Sequence, residues 1–236
     1  PAPNPRRATP ARDGTTLEAF LGLDARGSQQ IGTPLAGTLL AVVAACIEIA
    51  ALLRRAGIED ILGAVGRQNV QGEAQQKLDV IATVGTIFSV LEADGALPPG
   101  TQQLAAGYVL YGPSTVLVLT TGQGVRQFVL DVARGSFVQV GADLRIPADG
   151  PLYSVNETNL SRATAGWRRF VDDCHAQGYV NRYSGAMIAD VHRVLCKGGI
   201  FMYPPTSKAP DGKLRLMYEA NPAAFLIEQA GGMAVA

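Results

Sequence analysis

The chain has 236 residues, enough for one large domain or two small ones, and its composition of 47% hydrophobic and 17% charged residues is typical of a well-buried globular protein. Twenty basic and twenty acidic residues cancel, so no overall field attracts nucleic acid or an anionic membrane, and an anion must be bound by a local cluster. The three cysteines and two histidines form no zinc-binding pattern, which favours free thiols in a reducing cytoplasm over a zinc site.

The N-terminal part begins with residues 1–14, whose Pro- and Arg-rich composition we interpret as a disordered tail rather than a secretory signal. A short helix is predicted over 15–21, with Thr15 or Thr16 as its cap. Residues 35–53 contain only one charged residue, Glu48. The length of this apolar stretch is borderline for a membrane span. A buried soluble helix is favoured, because larger apolar residues share one face and alanines lie elsewhere. That face consists of Leu35, Leu39, Val42, Cys46, Ile49 and Leu53.

Short β-rich runs follow a predicted loop over 63–72 and a predicted helix over 73–82. Their short spacing predicts an antiparallel meander, because parallel strands need longer crossovers. The runs are 84–91, 105–111, 114–120, 125–131 and 137–140. The sequence between 121 and 124 is typical of a hairpin turn.

From residue 150 the pattern alternates between helix and strand, which indicates a domain boundary near 145–150. We therefore predict an N-terminal domain over 15–145 and a C-terminal domain over 146–236. The predicted elements of the second domain are helices at 165–176 and 185–197 and strands at 200–203 and 214–218. A last helix is predicted to have Asn221 as its cap, Pro222 at its first position and Gly231 as its stop.

The C-terminal part concentrates side chains that suit a phosphate group. A phosphate dianion is bound by cations and by neutral hydrogen-bond donors around its oxygens. The candidates of these types are Asn156, Arg182, Tyr183, Tyr203 and Lys213. Each one alone is weak evidence, because a single arginine is more often a solvated surface charge and a tyrosine at a strand end is more often a rim residue.

Other kinds of site are less well supported. Glu219 precedes the start of the last helix, where a carboxylate is either a metal ligand or a complement to the helix dipole, and taken alone the residue favours the dipole role. No serine stands in a nucleophile elbow, which argues against a Ser-His-Asp hydrolase. His175 and His192 are interpreted as a solvated and a structural histidine, and no Walker A lysine loop occurs.

Several long stretches, in order, resemble class I fructose-1,6-bisphosphatases. They read NVQGEAQQKLDVIA at 69–82, AAGYVLYGPSTVLVL at 105–119, YVNRYSGAMIADVHR at 179–193, GGIFMYP at 198–204 and KLRLMYEANPAAFLIEQAGG at 213–232. The resemblance implies an α/β protein with mixed sheets in a layered α-β-α-β-α fold, and a cytoplasmic homotetramer. It also implies hydrolysis of the 1-phosphate of fructose 1,6-bisphosphate to fructose 6-phosphate, assisted by Mg2+ or Mn2+.

The resemblance assigns the phosphate candidates to one end of this substrate. Asn156, Tyr183, Tyr203 and Lys213 would hold the 6-phosphate, and Arg182 would reach that phosphate in a neighbouring subunit.

The resemblance also gives roles to residues near the sugar and the 1-phosphate. Gly185 and Met187 would lie against the sugar, and Arg215 would lie near the 1-phosphate and the metals. Glu219 would be a metal ligand, which makes the metal role the favoured interpretation of this carboxylate.

The chain departs from the family at one junction. The family carries a paired-glutamate segment and an Asp-Pro-Leu-Asp-Gly-Ser-Ser motif where Ala82 here runs directly into Thr83. Those segments would supply most metal ligands and the group that activates water, so the catalytic residues are not identified. We hypothesise that a segment is missing from the sequence at this junction, which reading the gene across it would test.

Two alternatives and one regulatory inference remain open. A sedoheptulose-1,7-bisphosphatase or dual enzyme is the nearest alternative, and a non-catalytic sugar-phosphate-binding relative follows if the Ala82–Thr83 junction is genuine. AMP inhibition is not expected, because Glu92 stands where regulated relatives have an arginine.

Overall fold

A computed structural model describes residues 14–22, 33–56, 64–68, 74–76, 85–92 and 98–235. The chain divides into two compact units, the first formed by 1–86 and 107–143 and the second by 87–106 and 144–236. The domain boundary predicted at 145–146 stays a prediction. The disordered tail predicted over 1–14 lies outside the described residues, apart from Gly14.

The first unit begins with a short helix that a threonine caps. Helix α1 (Leu17–Phe20) follows Thr16, whose Oγ1 accepts a hydrogen bond from the backbone N–H of Ala19 at 3.3 Å. Thr16 rather than Thr15 is therefore the cap. The helix contacts the neighbouring sheet through Phe20, whose ring centroid lies 5.6 Å from that of Phe128.

Helix α2 (Thr33–Ala56) buries a face that differs from the predicted one by about one residue. Leu39 and Cys46 are buried as predicted, but Ala36, Val43 and Ala50 complete the buried face. The other predicted positions, Leu35, Val42, Ile49 and Leu53, are only half-buried. Small alanine side chains allow a helix to pack closely against its neighbours. The buried face therefore includes alanines, whereas the prediction selected the larger apolar side chains.

The same helix passes a length and composition test for a membrane span. The most apolar stretch of Pro34–Arg55 has a mean hydropathy of 2.3, and 28% of that stretch is buried within the structure. This is weak evidence for a membrane span, because the core helix of a soluble protein passes the same test.

Strands β1 (Ala64–Gln68) and β2 (Ala74–Gln76) pair as an antiparallel ladder. The loop predicted over 63–72 and the helix predicted over 73–82 are therefore wrong at these positions. The backbone groups of the two segments satisfy one another across the ladder instead of within a helical turn. Residues 77–84, with the Ala82–Thr83 junction, lie outside the described residues.

A five-stranded sheet has the predicted sequential order. Its strands are β3 (Gly85–Val90), β4 (Ala105–Leu110), β5 (Val116–Thr120), β6 (Val125–Asp131) and β7 (Ser136–Gln139), in the order β3-β4-β5-β6-β7. The antiparallel pairing predicted for the meander is confirmed for β5, β6 and β7. The turn at 121–124 has Gly122 and Gly124 at φ of 83° and 81°, which other residues rarely adopt.

The second unit contains a three-stranded sheet with β8 (Leu152–Ser154) between β9 (Val180–Asn181) and β10 (Ile200–Phe201). Both pairings are parallel. Other elements of this part are α3 (Ala165–Ala176), α4 (Met187–Lys197), α5 (Asn221–Gln229) and the 3-10 turns Gly100–Gln102 and Glu157–Arg162. The α/β class with mixed sheets is thus confirmed.

Three glycines allow β8 and β10 to lie backbone against backbone. A Cβ on Gly150 would lie 2.1 Å from the carbonyl carbon of Gly198. A Cβ on Gly199, whose φ is 100°, would lie 2.1 Å from the carbonyl oxygen of Leu152. No side chain fits at either point, so space requires glycine at both positions, and the positive φ of Gly199 favours glycine there as well.

The strand predicted over 214–218 is wrong, because Leu216–Ala220 forms a π-helical turn that runs directly into α5. The carbonyl oxygen of Arg215 accepts the N–H groups of Glu219 at 2.9 Å and Ala220 at 3.1 Å. The cap predicted at Asn221 is also wrong, since the preceding turn already continues the helix and leaves no free terminus there. Gly231, at a φ of 88°, ends the helix as predicted.

Candidate functional site: a cationic cleft at the ends of three parallel strands

The candidate phosphate residues follow the carboxyl ends of the three parallel strands. Asn156 lies two residues beyond β8, and Tyr203 lies two residues beyond β10. Arg182 and Tyr183 lie one and two residues beyond β9. The carboxyl ends of parallel strands meet at one edge of a sheet, which is where ligands bind in open α/β sheets.

A cleft that is open to solvent lies at this edge. It is lined by Val155, Asn156, Asn159, Arg162, Trp167, Met202, Tyr203, Pro204, Thr206, Lys208, Ala209 and Lys213. Three of the sequence-predicted residues, Asn156, Tyr203 and Lys213, are therefore brought together. The others do not line the cleft; they are Arg182, Tyr183, Gly185, Met187, Arg215 and Glu219.

The floor of the cleft is the surface of a hydrophobic core. Val155 and Trp167 belong to a buried cluster of this unit, and Met202 packs against it. The indole Nε1 of Trp167 is buried and has no hydrogen-bond partner among the described residues. An apolar floor lowers the local dielectric, so charges at the rim act more strongly on a bound anion than they would in water.

The rim of the cleft carries three cations, Arg162, Lys208 and Lys213. No carboxylate lines the cleft, and no ion pair joins any of the three to another residue in the described ranges. Sequence reasoning missed Arg162 and Lys208, because Arg162 ends a 3-10 turn and Lys208 lies in a loop, where no periodicity marks a shared surface.

Asn181 joins the segment after β8 to the segment after β9. Its Nδ2 donates to the carbonyl oxygen of Val155 at 3.1 Å and to Glu157 Oε1 at 2.8 Å, while its Oδ1 accepts the N–H of Tyr183 at 3.0 Å. Tyr153 also donates to Glu157 Oε1, at 2.5 Å. Burial alone would raise the pKa of Glu157, but the hydrogen bonds from Tyr153 and Asn181 outweigh it and the pKa is lowered.

A buried carboxylate holds the segment that contains Arg182. Both oxygens of Asp190 accept the N–H of Ser184, at 3.0 and 3.2 Å, and Oδ1 also accepts the hydroxyl of Ser184 at 2.7 Å. The Nη1 group of Arg193 donates to Asp190 Oδ1 at 2.7 Å and to the carbonyl oxygen of Arg182. The side chain of Arg182 is exposed, so this network fixes its backbone and leaves the guanidinium outside.

The predicted metal ligand Glu219 is engaged by an arginine. Glu219 Oε1 accepts a hydrogen bond from Arg215 Nη2 at 2.6 Å, and Oε2 accepts the N–H of Arg215 at 2.8 Å. Burial would raise the pKa of Glu219, but the hydrogen bonds from Arg215 outweigh it and the pKa is lowered. Within the described ranges no three His, Cys, Asp or Glu residues are grouped to hold a metal, so these residues do not form a complete metal site.

Comparison with known proteins connects this chain to one family. Residues 146–236 match the family model "Fructose-1-6-bisphosphatase, C-terminal domain", and residues 79–142 match the corresponding N-terminal domain. A class 1 fructose-1,6-bisphosphatase of Synechococcus elongatus is 38% identical, over 94% of this chain and 84% of that protein. A class 1 fructose-1,6-bisphosphatase from another Synechococcus strain is 51% identical over 69% of this chain. The match spans about half, 52%, of the length of that relative.

Solved structures agree with the sequence matches. The holo form of the Leishmania major fructose-1,6-bisphosphatase is 28% identical, with a TM-score of 0.78 over 92% of this chain and 87% of that one. The sequence alignment with the Synechococcus elongatus relative is 288 positions long, whereas this chain has 236 residues. At least 52 alignment positions (288 minus 236) are therefore occupied by the relative alone.

The resemblance found in the sequence is confirmed by these matches, which cover both the N-terminal and the C-terminal family models. The fold agrees as well, because the mixed sheets and the order of elements are found in a chain that superimposes on a solved member. This chain belongs to the class 1 fructose-1,6-bisphosphatase family.

Proposed function

We propose that this chain hydrolyses the 1-phosphate of fructose 1,6-bisphosphate, releasing fructose 6-phosphate and inorganic phosphate. The activity is that of its family, a group of phosphatases of carbohydrate metabolism. The observation that carries the proposal is the cleft in which Asn156, Tyr203 and Lys213 meet. One cation and two neutral polar groups on an apolar floor match the donors that a phosphate dianion needs.

The 6-phosphate is the end of the substrate that these residues bind. Lys213 supplies charge, while Asn156 and Tyr203 supply amide and hydroxyl donors to the remaining oxygens. Tyr183 contributes from the end of β9, where Asn181 fixes its backbone. Arg182 is exposed, and we propose that it reaches the phosphate of a neighbouring subunit in a homotetramer.

The sugar and the 1-phosphate extend away from this anchor. Gly185, between β9 and α4, and Met187, the first residue of α4, are proposed to lie against the sugar. Arg215 is proposed to contact the 1-phosphate. Its guanidinium would then release the hydrogen bond to Glu219 Oε1 and donate to the phosphate instead. We further propose that the protein works in the cytoplasm.

Fructose-1,6-bisphosphatases need a divalent metal, and Mg2+, or Mn2+ in its place, is the ion we propose for this chain. The described residues contribute one candidate ligand, Glu219, and it is already bound to Arg215. The remaining ligands would belong to the segment hypothesised to be missing at the Ala82–Thr83 junction. The relative's positions without counterpart here, at least 52 of them, support that hypothesis.

The test combines turnover with binding. Phosphate release from fructose 1,6-bisphosphate is measured with and without Mg2+, and fructose 6-phosphate binding is measured by calorimetry. We expect metal-dependent release, and we expect Lys213→Ala to raise KM roughly tenfold or more, because a hydrogen bond to a charged group is lost. Lys197→Ala, which removes an exposed lysine outside the cleft, is the matched control and should leave KM unchanged.

Two results would overturn parts of the proposal. No phosphate release with or without Mg2+, together with binding that Lys213→Ala abolishes, would refute hydrolysis and leave a sugar-phosphate-binding protein. An equal KM in Lys213→Ala and Lys197→Ala would refute the role of the cleft.

A further inference from the structure

The charge of the cleft exceeds what its three predicted residues supply. Arg162 and Lys208 line it beside Lys213, and neither forms an ion pair with any residue that the structure describes. Two other cations of the same unit are paired, Arg193 with Asp190 and Arg215 with Glu219. Like charges on one small surface repel each other, so this grouping is unfavourable unless an anion binds between them.

The backbone around Arg162 is held in place by the core. Arg162 is the last residue of the 3-10 turn Glu157–Arg162, which Asn156 caps through its Oδ1 and the N–H of Thr158 at 3.1 Å. The next residue, Ala163, is buried in the cluster that forms the cleft floor. The guanidinium therefore starts from a fixed point one residue away from the apolar floor.

Lys208 lies in a tight turn that is tied to the opposite rim. Thr206 and Ala209 exchange two backbone hydrogen bonds of 3.0 Å, with Lys208 between them. The N–H of Ser207 donates to the carbonyl oxygen of Arg162 at 3.3 Å. This bond joins the backbone next to Lys208 directly to that of Arg162, so the two cations belong to one connected rim.

We propose that Arg162 and Lys208 bind the same terminal phosphate as Lys213 and determine the preference of the site for a phosphate dianion. The inference rests on the proposed function, because it names further residues of the 6-phosphate site. Arginine offers a planar pair of donors to two phosphate oxygens and lysine a point charge, so the two act in different ways on one group. These three cations come from one chain and act in addition to the Arg182 that a neighbouring subunit is proposed to supply.

The experiment measures binding of fructose 6-phosphate and of inorganic phosphate by calorimetry, using the full chain and the variants Arg162→Gln and Lys208→Gln. Each variant should weaken both ligands about 5- to 20-fold, and the loss should shrink as salt is added. Arg169→Gln is the matched control, because Arg169 is an exposed arginine of α3 outside the cleft. Its affinity should stay within about twofold of wild type.

Thermal unfolding separates ligand binding from a structural role. Cations without ion-pair partners contribute no attraction to the folded state, so both variants should unfold at or slightly above the wild-type temperature. A lower unfolding temperature together with weaker binding would overturn the inference in favour of a structural role.

The outcomes for the two proposals differ. If Arg162→Gln and Lys208→Gln bind both ligands as Arg169→Gln does, while Lys213→Ala binds weakly, the inference fails and the proposed function stands. If wild type binds inorganic phosphate in an Arg162-dependent way but does not bind fructose 6-phosphate, the proposed function fails and the phosphate site stands. Binding of neither ligand by wild type overturns both.

Discussion

Asp190 is the side chain whose loss should disturb the candidate site most without touching the ligand. Its carboxylate is fully buried, with 0% of the side chain exposed, and it accepts hydrogen bonds from Ser184 and Arg193. The substitution Asp190→Asn keeps the shape and removes the charge. If the amide oxygen takes the position of Oδ1, the amide NH2 group faces the N–H of Ser184, which lies 3.0 Å away, so two donors oppose each other.

The size of the effect follows from burial. Breaking a fully buried ion pair costs about 3–5 kcal/mol, and the exposed fraction of Arg193, 34%, reduces the expected loss to about 2–3 kcal/mol. For a chain of this length about 1 kcal/mol corresponds to about 2–4 °C, so the unfolding temperature should fall by about 4–12 °C. Affinity for fructose 6-phosphate should fall as well, because the segment that contains Arg182 and Tyr183 loses its anchor.

The assay is thermal unfolding at neutral pH, followed by circular dichroism or calorimetry, with Asp172→Asn as control. Asp172 is exposed on α3 and makes no ion pair with a described residue, so its substitution should change stability by less than about 0.5 kcal/mol. Equal unfolding temperatures for the two variants would refute the reasoning. The carboxylate would then hold the segment no better than a neutral amide does.

Two further predictions concern buried polar groups close to the cleft. Ser154→Ala should raise the free energy of unfolding by about 1 kcal/mol, because the buried hydroxyl of Ser154 has no partner among the described residues. The control is Ser161→Ala, at an exposed serine. A greater loss of stability in Ser154→Ala than in Ser161→Ala would contradict the prediction. The lowered pKa of Glu157 makes wild type more stable than Glu157→Gln above about pH 4.5, by about 1 kcal/mol, and the difference should vanish as pH falls through the lowered pKa. An unchanged difference at pH 3 would show that Glu157 stabilises the fold through shape alone.

The elements that local patterns determine were predictable from the sequence. Helix α3 was predicted with its observed bounds, because an N-terminal threonine and a regular apolar spacing define it. The strand predicted at 214–218 failed because its alternating residues also suit a turn in which Arg215 and Glu219 pair four residues apart. That spacing was visible, and it would have favoured a helical turn.

The candidate site was only partly predictable. Asn156, Tyr203 and Lys213 were named through the resemblance, and their meeting depends on the parallel pairing of β8 and β10, which alternating helix and strand patterns suggest but do not fix. Arg162 and Lys208 lie on a turn and a loop, where a cation that faces a ligand and one that faces water look the same in sequence. The folded chain distinguishes them by showing which cations line the cleft.

The backbone contact at Gly150, Gly198 and Gly199 limits how this binding surface can evolve. An insertion or deletion of one residue between Gly199 and Tyr203 would shift the pairing of β10 along β8 and direct the Tyr203 ring to the opposite face of the sheet. Exchanges of side chains at 204–212 leave that pairing untouched. Preference among ligands can therefore drift by point substitution around the mouth of the cleft, whereas the chain length between Gly199 and Tyr203 must stay constant across descendants.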